Sequence, residues 1–319
     1  MHNSNKEHFD YFVFAGFRIV SGSLLSLAGG TTDLVISKKS CTFARLKKDS
    51  NTMKFIGIIP ARYASTRFPG KPLAEICGKT MIRRVYEQAS KVLDTVLVAT
   101  DDDRIYDHIT AFGGKVVMTR PDHKCGTDRC LEAYQLITNP LYREQNDRDT
   151  VVINIQGDEP FIQPEQIEAI ESCFLEPNGD ANGTEIATLV KPFTTEDTWA
   201  DLENPNTPKV VFSQQTHEAM LFSRSVIPYL RGVDKADWLA QGKHYKHIGM
   251  YAYRADILGK ITKLPQSKAE LAESLEQLRW LENGYRIKVA VCDTETVGID
   301  TPADLERAIE FLRQREYIV

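Results

Sequence analysis

Residues 53–72 read MKFIGIIPARYASTRFPGKP, and the fold follows from how that stretch divides. Phe55–Ile59 is an unbroken apolar run that stops at Pro60. Such a run suits a strand covered on both faces, as in a parallel sheet. A polar loop follows, and then the pattern repeats. Lys79–Val92 has helical spacing, and Thr95–Thr100 is a second buried strand. Asp101–Phe112 is a helix closed by Gly113-Gly114, and Lys115–Met118 is a short third strand. Thr127–Ile137 is helical and Val151–Ile155 is a fourth strand. Strands alternating with helices predict right-handed βαβ units, hence a doubly wound, mainly parallel α/β fold. Ligands of such sheets sit at the carboxyl ends of the strands. The loops after Ile59, Met118 and Ile155 should therefore meet in one crevice.

The second half is less regular. Ile186–Val190, Lys209–Gln214, Ala219–Ser223 and His247–Tyr253 are short alternating strands and predict a smaller antiparallel extension. Lys268–Asn283 is expected to be one helix, capped by Ser267 and ended by Gly284. Arg286–Val291 returns as a strand. Asp300-Thr301-Pro302-Ala303-Asp304 is a helix start with proline in the first turn and an acid three residues after Thr301. That helix runs to about Arg313.

The chain has 319 residues, 42% hydrophobic and 26% charged, with net charge -5 and mean hydropathy -0.32. This excludes a broadly basic nucleic-acid binder and favours small anionic ligands. Six cysteines without a CxxC pair give neither a disulfide framework nor a structural zinc site, which fits a reducing, cytoplasmic setting. Residues 1–52 carry seven Lys/Arg and four Asp/Glu. Tyr11–Leu27 is fairly apolar, but Arg18 interrupts it and a membrane span needs ~20 apolar residues. Lys6 beside Glu7 and Asp10 is not the basic start of a signal peptide. The expectation is a dispensable N-terminal extension, 1–52, produced by an upstream start, with the folded domain at 53–319.

Four constellations carry chemistry. In Pro60–Pro72, Arg62, Arg67 and Lys71 can surround a polyphosphate, while Ala61, Ala64, Ser65 and Gly70 let backbone N–H groups approach it. Lys71 precedes Pro72, so this is not a Walker A loop. Gln156-Gly157-Asp158-Glu159-Pro160 puts an acid at a strand end, where it can hold a divalent cation or simply make a turn. Thr119–Arg129 brings Gly126 and Thr127 to a helix start, whose free N–H groups suit a base or phosphate edge. Asp300 can cap the last helix or join Asp158 as a second ligand to Mg²⁺.

IIPARYASTRFPGKPL, ATDDDRI, MTRPDHKCGTDR, VINIQGDEPFI, HIGMYAYR, LEQLRWLENG and VGIDTPADLERA together resemble the 3-deoxy-manno-octulosonate cytidylyltransferases, also called CMP-KDO synthetases. The resemblance spans roughly residues 53–315. PARxxSxRxPGK is shared with sialic-acid cytidylyltransferases, whereas QGDEP, RPDHxxGTxR and GIDTPxDLE point to the KDO branch. The resemblance implies a nucleotide-diphospho-sugar transferase-like fold and CMP transfer from CTP to the sugar acid KDO, with Mg²⁺ as cofactor. It implies that Arg62, Arg67 and Lys71 lie along the triphosphate beside Pro60 and Ala61. Asp158 and Asp300 would hold the metal, and Arg120, Asp122, Gly126 and Thr127 would meet cytosine and ribose. For KDO it implies Gln156, Arg224, His247, Tyr251, Glu276 and Gln277. Taken without the resemblance, His247 reads as a satisfied half-buried histidine and Glu276 as a solvated helix face. Cys125 stands where the pattern more commonly has serine, and a thiol is the poorer donor.

Small-molecule substrates are thus expected, with neither nucleic acid nor membrane as partner. The apolar residues of the antiparallel extension are of the kind a homodimer covers. Rival readings are a sialic-acid enzyme and a catalytically silent nucleotide-binding module. A dehydrogenase is disfavoured because no GxGxxG follows the first strand.

Overall fold

The computed structural model describes residues 53–64, 67–138, 147–175, 183–294 and 298–316, together with three short strands nearer the N-terminus. Two compact units divide the chain, Met1–Asn51 and Thr52–Val319. In the first, Val13–Phe14, Phe17–Val20 and Ser23–Leu25 form an antiparallel three-stranded sheet.

The second unit is built on a nine-stranded sheet. Its first half follows the alternation expected from sequence: β1 (Lys54–Ala61), α1 (Met81–Ala89), β2 (Val96–Thr100), α2 (Asp103–Ala111), β3 (Val116–Met118), α3 (Gly126–Ile137) and β4 (Thr150–Asn154). β1 pairs in parallel with β2 and β4, and β2 with β3. Both β2 and β4 are buried at every position, which explains their unbroken apolar runs. Lys79 and Thr80 lie outside α1, in a small hairpin with Glu75–Ile76.

α4 (Pro164–Leu175) follows, starting with a proline at its first turn. Then come β5 (Ile186–Pro192), β6 (Lys209–Phe212), β7 (Ala219–Ser223) and β8 (Tyr245–Arg254). The antiparallel part is a continuation of the same sheet. The C-terminal end of β8 runs antiparallel to β4, and its full length runs against β5. Lys246, near its other end, pairs with Lys209 of β6, which carries β7 on its far side. α5 (Ala255–Ile261) continues directly from β8, and β9 (Ile287–Val291) adds in parallel to β5.

Lys268–Asn283 is not one helix. It is α6 (Lys268–Glu273) and α7 (Glu276–Glu282), separated by Ser274 in the left-handed region (φ 51°) and extended Leu275. Ser267 caps α6 as expected, and does so as half of a capping box with Glu270. Tertiary bonds force the break. Glu273 accepts from Ser223 Oγ and from the Arg224 backbone N–H, while Glu276 turns toward α3. The last helix, α8 (Pro302–Glu316), begins as expected, with Thr301 and Asp304 exchanging side-chain-to-backbone bonds.

Beneath β8, Trp280 meets Tyr251 and Tyr253 edge-on, at 5.1 and 5.5 Å between ring centroids. Trp280 is 1% exposed. Trp280→Ala should cost about 3–5 kcal/mol, read as a lower urea midpoint with unchanged slope.

Candidate functional site

The three loops converge. A Cβ placed on Gly126 would lie 3.2 Å from Pro60 Cγ, and one on Gly157 would lie 3.1 Å from the Pro60 carbonyl oxygen. The loops after β3 and β4 therefore both press against the end of β1, and glycine permits the approach.

Pro60 and Ala61 end β1, and Arg62 follows directly. Lys71 opens a short 3₁₀ turn after Gly70, whose φ of 71° reverses the chain. The Lys71 ammonium donates to Asp158 Oδ2 at 2.7 Å and to Asp300 Oδ1 at 3.2 Å. Arg67 Nη2 reaches the same Asp300 oxygen at 3.2 Å. Four residues from three distant segments thus share one point. The Ile299 N–H, bonded to the Asp158 carbonyl at 2.9 Å, stitches the two acid-bearing segments together. Asp300 does not cap the last helix: the Thr301 hydroxyl accepts from the Asp304 N–H, and Asp304 in turn accepts from the N–H groups of Asp300 and Thr301.

Asp158 and Asp300 already converge on a cation, the lysine ammonium, so their oxygens suit a second one. Among the described residues no group of three or more His, Cys, Asp or Glu side chains could cage a metal. Two hard carboxylates fit magnesium, which takes one or two such ligands and completes its shell with water and substrate phosphate.

Around α3, Arg120 and Asp122 are exposed, with Arg120 within 3.6 Å of Glu132 and 3.7 Å of Asp122. The Arg120 N–H is held by Glu132, which also meets His123 Nε2. Gly126 and Thr127 form the first turn, and Cys125 caps it by accepting from the Asp128 N–H at 3.5 Å. The thiol therefore keeps a side-chain role. It also donates to Glu276 Oε1 at 3.4 Å, beside the Thr127 hydroxyl, which donates to Oε2 at 2.8 Å. Burial and the Glu276 carboxylate push the Cys125 thiol up to about 12, so it stays protonated as a donor. Burial also raises Glu276, which Arg279 steadies through a 2.7 Å bond. Glu276 is thus no solvated helix face; it braces the start of α3. Its neighbour Gln277 is buried at 4% exposure.

Gln156 donates to the Gly249 carbonyl at 3.0 Å, tying the β4 loop to β8. His247 and Tyr251 do face one side, 5.2 Å apart between ring centroids, across a bulge where β8 passes Thr188. His247 Nε2 pairs with Thr188 Oγ1 at 2.9 Å, and burial pushes its ring down to about 3. His247 lines a cavity of about 490 Å³ together with Glu159, Lys246, Gly249, Thr207 and Gly298. Glu159, next to Asp158, and Gly298, two residues before Asp300, border this same cavity. The Arg224 guanidinium is engaged by the carbonyls of Pro205, Glu273 and Ser274, at the break between α6 and α7.

Sequence reasoning missed several supports. Arg129, fully buried, bonds Asp101 Oδ2 at 2.8 Å and Thr119 Oγ1 at 2.6 Å, fixing the Thr119–Arg129 loop to the end of β2. Lys209, also fully buried, donates to the carbonyls of Asn204 and Arg224. A charged residue inside a buried strand or helix was the available signal, since such residues are rarely buried without partners.

Residues 56–287 match the cytidylyltransferase family. The chain is 61% identical over 264 residues to a 3-deoxy-manno-octulosonate cytidylyltransferase of Parabacteroides distasonis, covering 82% of this chain and all of that protein. It is likewise 61% identical over 263 residues to the protein of that name from Bacteroides thetaiotaomicron, again 82% of this chain and all of the relative. Among solved structures it is similar to CMP:2-keto-3-deoxy-manno-octonic acid synthetase complexed with CTP. That match has a TM-score of 0.70 and 40% identity, over 82% of this chain and 99% of the other.

A histidine kept neutral by the fold leaves a pH signature. The unfolded chain protonates His247 near its ordinary value of 6.5 and the folded chain only near about 3, so its contribution to stability is lost as pH falls through that window. The stability difference between wild type and His247→Asn should therefore narrow between pH 7.5 and pH 5, measured by urea unfolding at each pH.

Proposed function

The chain belongs to the cytidylyltransferase family, and on that premise we propose that it transfers CMP from CTP to the anomeric hydroxyl of 3-deoxy-D-manno-octulosonate, releasing pyrophosphate and supplying activated KDO for lipopolysaccharide. The observation that carries the reading is the meeting of Lys71 with Asp158 and Asp300 at the mouth of β1 and β4. Three cations on the loop after β1 suit a triphosphate, and two carboxylates suit the cation that accompanies it.

The reaction forms a bond between the sugar's anomeric oxygen and the α-phosphorus, breaks the bond from that phosphorus to the bridging oxygen, and frees a proton from the hydroxyl. Positioning and charge neutralisation carry most of the catalysis. In this reading Lys71 steadies charge on the α-phosphate, and Arg62 and Arg67 hold the outer phosphates. Gly126 and Thr127 offer backbone N–H groups to the nucleotide, with Arg120 and Asp122 at the rim. Asp158 and Asp300 would hold Mg²⁺, which would lower the pKa of the attacking hydroxyl and offset phosphate charge. The sugar then extends into the cavity that His247 and Gly249 line, with Gln156 held on the Gly249 carbonyl and Tyr251 against the His247 ring. Neutral His247 can accept or donate one hydrogen bond without adding charge. Glu276 and Gln277 close the side next to α3, and Arg224 holds the α6–α7 break where they begin.

No helix among the described residues is long and apolar enough to cross a membrane, and we place the reaction in the cytoplasm. Exposed Met220 and Leu221 on edge strand β7 support a homodimer over that edge. Residues 1–52 lie outside the family match, and we propose that the domain folds and turns over from Met53.

With CTP and Mg²⁺, pyrophosphate should appear with KDO and not with N-acetylneuraminic acid or without acceptor. Release with N-acetylneuraminic acid alone would overturn the sugar assignment and keep the chemistry. Asp158→Ala should lower turnover about a hundredfold or more while its melting temperature stays near wild type. A chain starting at Met53 should match the full chain in both assays; loss of turnover would make residues 1–52 part of the working enzyme.

A further inference from the structure

The segment Ala99–Ile105, ATDDDRI, runs from the end of β2 into α2 beside the phosphate loop; its Asp101 holds Arg129, but its Asp102 and Arg104 have no part in the chemistry above. Its Asp102 caps α2 and grips Arg104 twice over. The carboxylate accepts from the Arg104 N–H at 3.0 Å, from Nε at 2.9 Å and from Nη2 at 2.7 Å. So held, the guanidinium sits over the Tyr63 ring, its central carbon 3.3 Å from the ring centroid. Below the loop, Gly70 donates its N–H to the Tyr63 carbonyl at 2.9 Å. A Cβ on Gly70 would come within 3.1 Å of the same ring. Glycine is thus doubly required there, by its φ of 71° and by the contact. Tyr63 sits next to Arg62, and Gly70 next to Lys71.

We infer that Arg104 is a positioning residue for CTP, fixing through Tyr63 the loop that presents Arg62, Arg67 and Lys71. The inference rests on the reading of that loop as the triphosphate site. Arg104 is 59% exposed, and an exposed ion pair with Asp102 contributes little to stability by itself. Its effect lies in the loop, since a segment ordered beforehand loses less entropy when its ligand arrives. The sugar pocket, built on β8 and α7, has no share in the contact.

Calorimetric CTP binding with Mg²⁺, alongside steady-state kinetics, tests this. Arg104→Ala should weaken CTP binding about two- to tenfold and raise the KM for CTP, with the KM for KDO and the melting temperature nearly unchanged. Tyr63→Leu should do the same, and the double variant should be no worse than the weaker-binding single one. Tyr63→Phe, which keeps the ring face, should bind as wild type does. Arg104→Lys should recover part of the loss, keeping a cation over the ring without the paired bonds to Asp102. Unchanged CTP affinity in Arg104→Ala, additive losses in the double variant, or an equal rise in both KM values would overturn the inference. A wild type that binds CTP but does not use KDO would remove the sugar assignment, while the CTP affinities would still decide the role of Arg104.

Discussion

Two carboxylates held against one another repel, and here a single ammonium reconciles them. Like charges about 4 Å apart cost roughly 1 kcal/mol in water and about four times that near a protein surface. Lys71 Nζ, 2.7 Å from Asp158 and 3.2 Å from Asp300, offsets that repulsion. The arrangement holds only because the backbone around it is fixed. Ile299 is fully buried in a small core with Ile76, Met81 and Ala308, and its N–H bonds the Asp158 carbonyl. That core also seats the hairpin leading into α1 and the first turns of α8. The acids therefore stay in register with the lysine even though more than a hundred residues separate Asp158 from Asp300.

Around this point the structure combines braced backbone with polar side chains. The Thr119–Arg129 loop, assigned to the nucleotide in the proposed reading, is braced by Arg129 held on Asp101 and Thr119, and by Glu276 held on Cys125 and Thr127. Each brace leaves backbone N–H groups near Gly126 in a set position. The cavity assigned to the sugar in the proposed reading is walled mostly by polar side chains on β8 and on the connections around it, among them His247, Lys246 and Thr207. Outside that wall, the Glu276 carboxylate lies close enough to Tyr251 and Tyr253 to raise both phenols, adding to the larger effect of burial.

Local pattern made the first half of the fold legible, because each parallel strand is apolar throughout and each loop leaves it at a fixed end. Phe55–Ile59, Thr95–Thr100 and Val151–Ile155 all fall within a residue or two of the strands they form. The convergence of the loops bearing Lys71 and Asp158 was legible from the strand ends, whereas Asp300 was left open between a helix cap and a second metal ligand, and nothing in the pattern showed that Lys71 would bond both acids. The break at Ser274 was hidden because helical periodicity continues across it, and what stops the helix is bonding to β7 and α3, which no local window contains. α4 and α5 had readable starts, a first-turn proline and an acidic first turn, but lie in the stretch where irregular connections mask the alternation. The engagement of Arg224 by three carbonyls has no signature in sequence, since main-chain acceptors carry no residue code.

From Met53 onward the chain holds 40 acidic and 32 basic residues, yet both substrates of the proposed reaction are anions. Long-range attraction therefore cannot gather them, and salt screens such fields beyond about 8 Å in any case. Affinity has to arise within the crevice, where Arg62, Arg67 and Lys71 share one loop. There Asp158 and Asp300 neutralise part of that positive charge, so the crevice has little net attraction for a bare phosphate. A triphosphate arriving with its own divalent cation meets both halves of the site at once, anion toward the arginines and lysine, cation toward the carboxylates. On the proposed reading, the carboxylate pair would thus tune the site toward a metal-bearing nucleotide and away from the many simpler anions of the cell.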